Sequence, residues 1–222
     1  MTEPLTKRLT AETIGTALLL AAVVGSGIMA ERLADGNMAV ALLANTLATA
    51  AMLVVIITLF GSISAHFNPA VSLVMAIRRE LPWQEVMPYI LAQLAGACIG
   101  VLLAHAMFEM PLFEISLKAR SGSAQMLSEA VATFGLIGVI IGCLTQNVKA
   151  IPYAVALYIA SAYWFTASTS FANPAVTIAR ALTNSFAGIQ PADVIGFIAA
   201  QIIGAVVAAA IFQRLFKNKL PG

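Results

Sequence analysis

Six long apolar stretches constrain this chain more than any other feature. A helix needs about 20 apolar residues to cross the hydrocarbon layer of a membrane, and such runs fall near Thr13–Ala30, Met38–Phe60, Met87–Phe108, Gln125–Leu144, Ile151–Thr166 and Asp193–Phe216. Two further helix-like pieces, Asn68–Ile77 and Asn173–Leu182, are half as long, and each opens with Asn-Pro. Neither can cross alone. Pro suits the first helical position because its missing N–H would be unsatisfied there anyway, and Asn is a good N-cap. The predicted fold class is therefore an all-α membrane protein with six transmembrane helices and two re-entrant half-helices.

Composition agrees. Of 222 residues, 60% are apolar and 10% charged, against about a quarter charged in a soluble domain. Intrinsic disorder and nucleic-acid binding are excluded. A net charge of +2 is too small to imply a polyanionic partner. Cys98 and Cys143 sit among Ala, Gly, Ile and Leu with no CxxC spacing, so they read as packing residues. No catalytic residue, metal centre or cofactor is expected. Lys7 and Arg8 precede the first apolar run as in a signal peptide, but the pattern continues down the chain and the run is read as a retained span.

Charge reports topology instead. With six spans, Lys7, Arg8, Arg78, Arg79, Lys149, Arg214, Lys217 and Lys219 fall on one side, and Arg32, Lys118, Arg120 and Arg180 on the other. This excess predicts both termini in the cytoplasm, as for a multi-pass protein of the inner (plasma) membrane.

The chain also repeats itself. Phe67-Asn68-Pro69-Ala70-Val71 returns as Ala172-Asn173-Pro174-Ala175-Val176, and Ala92-Gln93-Leu94-Ala95-Gly96-Ala97 as Ala200-Gln201-Ile202-Ile203-Gly204-Ala205. Glu12 in the first span is echoed by Glu129 in the fourth. Each half, 1–110 and 111–222, holds three spans, so the halves insert in opposite orientations as an inverted repeat forming one pore domain. The Asn-Pro turns then meet near the midplane, where irregular backbone survives only if it is buried in protein or lines water. Each half-helix N-terminus carries roughly +0.5 charge, so two facing one point repel cations and protons without an ionised side chain. Asn68 and Asn173 can cap the half-helices through their oxygens and offer amide N–H groups to a passing solute.

At these residues the chain resembles the aquaporin and aquaglyceroporin family, with its twin Asn-Pro-Ala boxes. The resemblance takes in Ala11-Glu12, Gly15-Thr16, Gly61 to His66, Ala92-Gln93, Gly96-Ala97, Glu129 and Thr133-Phe134, and so nearly the whole chain. It implies a pore in each protomer, a homotetramer and passage of small uncharged solutes. It also implies that Glu12 and Glu129 brace the re-entrant loops, with His66 holding its loop or lining the inner mouth. The departure is Val176, because the family's second box usually continues with an arginine that forms the outer selectivity filter.

Counting back from the boxes carries the other filter positions onto Ala48, or Thr49 with a shorter loop, onto Ser170, and onto Ser161, or Ile159 with a longer loop. Such a filter has no charge, no His and no aromatic ring, and is expected to be wide and weakly polar. Ser168 to Ala172 ahead of Asn-Pro-Ala-Val resembles the rhizobial, arsenic-operon type of aquaglyceroporin, and arsenous acid, a small neutral trihydroxy molecule, would suit it. Arg180 lies four residues after Val176, about 6 Å further along the same helix face. It either replaces part of the lost charge or is a surface arginine at the half-helix end, the plainer expectation.

Other classes compete less well. An ordinary water or glycerol pore would need no arsenic role. A coupled secondary transporter shares inverted repeats and broken helices, but wants an acidic residue at its substrate. An intramembrane hydrolase built on Ser62, Ser64 and His66 lacks an oriented third group.

Overall fold

The structure, a computed structural model, describes residues 3–216. Eight α-helices follow one another: α1 Leu5–Leu33, α2 Met38–Phe60, α3 Pro69–Ile77, α4 Trp83–Met107, α5 Ser123–Gln146, α6 Ile151–Phe165, α7 Pro174–Ala179 and α8 Pro191–Phe216. All the apolar stretches read from the sequence are helices, and six are long and apolar enough to cross a membrane. Lys217 and Lys219 lie outside the described residues.

The boundaries shift where polar residues join a helix end. α1 starts at Leu5 rather than near Thr13 because Arg8 is tied down, with its two Nη atoms on the Glu85 carboxylate at 2.6 and 2.9 Å. Asn68 caps α3 by accepting from the Ala70 N–H at 2.9 Å, and Asn173 caps α7 through Ala175 and Val176 at 3.0 and 3.3 Å. The second half-helix is shorter than its ten-residue expectation. Its α turns stop at Ala179, and a 3-10 turn, Arg180–Leu182, completes it.

α1 packs along α4, and α5 along α8, with small residues at the crossings. A Cβ on Gly96 would strike the Thr13 carbonyl oxygen, and one on Gly204 the Ala130 carbonyl oxygen. Bare backbone at these two points lets the axes approach closely, the usual means of helix association where lipid supplies no hydrophobic drive. Large apolar side chains such as Leu43, Leu47, Leu157 and Trp164 are exposed on the outer faces, as lipid contact requires.

Following helix directions from α1, α3 runs from the middle of the bundle back to the face carrying Lys7, Arg8, Arg78 and Lys149. α7 runs from the middle to the opposite face, with Arg32 and Lys118. The half-helices thus point their N-termini at each other.

Candidate functional site

Two buried carboxylates set the positions of the re-entrant loops. Glu12 accepts four hydrogen bonds: from Ser64 Oγ (2.6 Å), the His66 N–H (2.8 Å), the Phe67 N–H (2.6 Å) and Gln93 Nε2 (2.8 Å). Glu129 repeats the pattern with Ser168 Oγ (2.6 Å), the Phe171 N–H (2.8 Å), the Ala172 N–H (2.8 Å) and Gln201 Nε2 (2.6 Å). Each glutamine also reaches the half-helix, Gln93 at Ser72 Oγ and Gln201 at Thr177 Oγ1. Both carboxylates are fully buried, where leaving the loop N–H groups unpaired would cost about 1–3 kcal/mol each. The carboxylates therefore hold irregular backbone at depth, and neither lines the cavity described below.

The loops then lock onto each other. Asn68 Nδ2 donates to the Ala172 carbonyl and Asn173 Nδ2 to the Phe67 carbonyl, both at 2.7 Å. Phe67 and Ala172 take left-handed φ of 50° and 49°, uncommon for non-glycine residues. That turn aims each carbonyl at the other loop. One amide hydrogen of each asparagine is spent on this bond, leaving the second for the lumen.

A cavity of about 830 Å³ runs past these turns. At the face bearing the N-terminus it begins among Glu3, Arg8 and Lys149, passes His66, Asn68 and Asn173, and ends beside Ser170, Val176 and Arg180. His66 lies on its wall with Nδ1 3.1 Å from Ser72 Oγ and its ring 5.2 Å from that of Tyr89. Ser170 Oγ is buried without a partner among the described residues, and φ of 63° and 50° at Thr169 and Ser170 bends the loop at this point.

The cavity wall separates the alternative filter positions. Thr49 and Ile159 line the cavity, whereas Ala48 and Ser161 do not. Ser161 is exposed and donates to the Tyr158 carbonyl. Counting back from a box assumes a fixed loop length, and a slip of one residue turns a helical side chain by roughly 100°. Arg180 is not a surface arginine: it is 2% exposed and lines the cavity. Nor is this end without a ring, since Tyr163 also lines it and donates to Thr49 Oγ1 at 3.3 Å. An uncharged, ring-free filter is therefore not what surrounds Val176.

Sequence reasoning also missed Phe171 and Arg120 as parts of the site. Arg120 is buried in the segment before α5, donating through Nε to the Gly188 carbonyl (2.8 Å) and through Nη1 to the Ser168 carbonyl (3.1 Å). Its Cζ stands 4.9 Å from the Phe171 ring centroid. The Ser and Gln partners of the carboxylates were legible in principle, because they recur with the repeat.

One cavity, lined by residues of both re-entrant loops, lies along the paired half-helix N-termini. Residues 1–150 and 144–221 match the Major intrinsic protein family. The chain belongs to that family. It is 53% identical over 218 residues to "Aquaglyceroporin AqpS" of Rhizobium meliloti, covering 98% of this chain and 93% of the relative. It is 32% identical to "Probable aquaporin AqpM" of Archaeoglobus fulgidus, with 98% and 100% covered. The aquaglyceroporin structure from Plasmodium falciparum superimposes with a TM-score of 0.74 over 96% of this chain and 97% of the other, at 19% identity, and so shares the fold. This Major intrinsic protein is a multi-pass membrane channel and not an enzyme.

Proposed function

We propose that this channel passes small uncharged hydroxylated solutes, namely water, glycerol-like polyols and arsenous acid, through an outer constriction formed by Thr49, Ile159, Ser170 and Val176 with Tyr163 and Arg180 beside them. The observation that carries this reading is Val176. It is buried against the lumen with the unpartnered Ser170 hydroxyl on the same cavity, at the position where the resembling family places a guanidinium. An isopropyl group offers no donors and less bulk than an arginine, so a trihydroxy solute meets a wall that is part apolar and part hydroxyl. Asn68 and Asn173 orient the solute at the midplane. Glu12, Glu129 and the backbone of His66 keep the loops in place.

The remaining features follow the same reading. Residues 1–110 and 111–222 act as two inverted repeats of one pore, the termini face the cytoplasm of the inner membrane, and four protomers assemble. A coupled transporter is disfavoured because both intramembrane carboxylates are committed to loop N–H groups. A Ser–His hydrolase is disfavoured because Ser64 bonds Glu12, while His66 faces Ser72.

Stopped-flow uptake into proteoliposomes tests it. Wild type is expected to pass water, glycerol and arsenous acid, and Val176→Arg to keep water flow while losing the two larger solutes. Identical behaviour of the two proteins, or a wild type that excludes glycerol, contradicts the proposal.

A further inference from the structure

The repeat pairs Val71 with Val176 and Met75 with Arg180. Both members of each pair lie on the cavity, so the two ends of the passage differ by one charge at matched positions. Arg180 is held at two points. Its Nε donates to the Ala187 carbonyl, and its Cζ sits 3.4 Å from the Phe171 ring centroid, a stacked geometry that guanidinium favours.

The Phe171 ring is itself fixed, edge-on against Phe197 at 5.2 Å and near Arg120. The chain that returns from the 3-10 turn is pinned by Ser116 N–H to the Ala181 carbonyl (3.0 Å) and by His105 Nε2 to Thr183 Oγ1 (2.8 Å). Neither Nη of Arg180 has an acceptor among the described residues, although the side chain is 2% exposed. An arginine core-packed for structure alone would be expected to spend those donors on protein. Here they remain available to the lumen.

We propose that Arg180 sets the charge selectivity of this channel, supplying from one helical turn further out the cation barrier and solute-facing donors that the second box itself lacks. Phe171 and Arg120 act as positioning residues that carry its guanidinium. The half-helix dipoles remain at the midplane, so a cation meets two successive positive regions, and a neutral polyol meets only hydrogen-bond donors. The shift of charge from position 176 to 180 separates cation rejection from size rejection. Val176 leaves the constriction open to larger neutral solutes while Arg180 keeps it closed to ions.

The inference rests on the channel reading above, so each sample is read for both glycerol uptake and potassium leak. Full-length wild type, Arg180→Gln, Arg180→Met and Val176→Arg/Arg180→Gln are placed in proteoliposomes under an imposed potassium gradient. Gln keeps a donor for the Ala187 carbonyl, and so tests charge where Met disturbs folding.

Leak is expected to rise roughly tenfold or more in Arg180→Gln, with glycerol uptake still measurable, and to fall back toward wild type when Val176→Arg restores the charge. A tight Arg180→Gln that still passes glycerol overturns the proposal. So does a leak that Val176→Arg does not reduce, because that assigns the effect to lost packing. Absence of glycerol uptake in wild type defeats the channel reading for polyols instead.

Discussion

The two re-entrant loops are built alike and finished differently. Glu12 with Ser64, Gln93 and Ser72 matches Glu129 with Ser168, Gln201 and Thr177, bond for bond. Beyond the asparagines the match ends. His66 in the first loop stands where Phe171 stands in the second, and Met75 where Arg180 stands. The first half-helix continues as regular α to Ile77, while the second tightens into a 3-10 turn at Arg180. Support was kept identical because both loops face the same physical problem, unpaired backbone at membrane depth. The cavity-facing residues differ, because no such backbone requirement fixes them.

The largest effects should come from the shared support. Glu12→Gln and Glu129→Gln each turn one acceptor oxygen into a donor against a backbone N–H, and each is expected to destabilise by about 2–4 kcal/mol. The two should be nearly equal in thermal unfolding in detergent. A large difference between them would break the symmetry of the comparison.

Next come Gly96→Ala and Gly204→Ala, whose added Cβ meets backbone carbonyl oxygen. Each should cost about 1–3 kcal/mol, again in parallel, by the same assay.

Asn68→Ala and Asn173→Ala each remove a cap and one cross-loop bond. About 1–2 kcal/mol is expected for each. Unequal losses would show that the loops do not lean on each other symmetrically.

The smallest effect sharpens the asymmetric, outer side. Lys118, half-buried in the segment before α5, donates to the Phe186 carbonyl at 2.7 Å, and burial brings its pKa down from 10.5 to about 8. The folded form then loses this proton before the unfolded form does. Stability should rise with pH from about 8 to about 10.5, the window in which the unfolded chain binds more protons. Thermal unfolding at pH 7.5 and 9.5 should show a larger gain for wild type than for Lys118→Met, and equal slopes would remove Lys118 as the source.

Much of this was legible in the residues. Apolar runs gave six spans because the hydrocarbon layer sets a length, and Asn-Pro gave both half-helix starts because a missing N–H fits only there. The filter was not legible to the same degree. Thr49 against Ala48 and Ile159 against Ser161 depend on loop lengths that no local rule determines, and one residue of slip rotates the side chain out of the lumen. In the sequence, Arg180 stands between a replacement for the lost charge and a surface arginine, the surface favoured because a charge at a helix end is ordinarily solvated. Its burial depends on the Phe171 ring and the Ala187 carbonyl, contacts made by the path of the loops in space. Tyr163 was passed over for the same reason.

The most direct measurement substitutes one residue at both matched lumen positions. Potassium leak and glycerol uptake would be compared in proteoliposomes for wild type, Met75→Leu and Arg180→Leu. Met75→Leu is expected to match wild type in both fluxes, and Arg180→Leu to admit potassium while still passing glycerol. Equal responses at the two positions would contradict a selectivity that resides at the outer end alone.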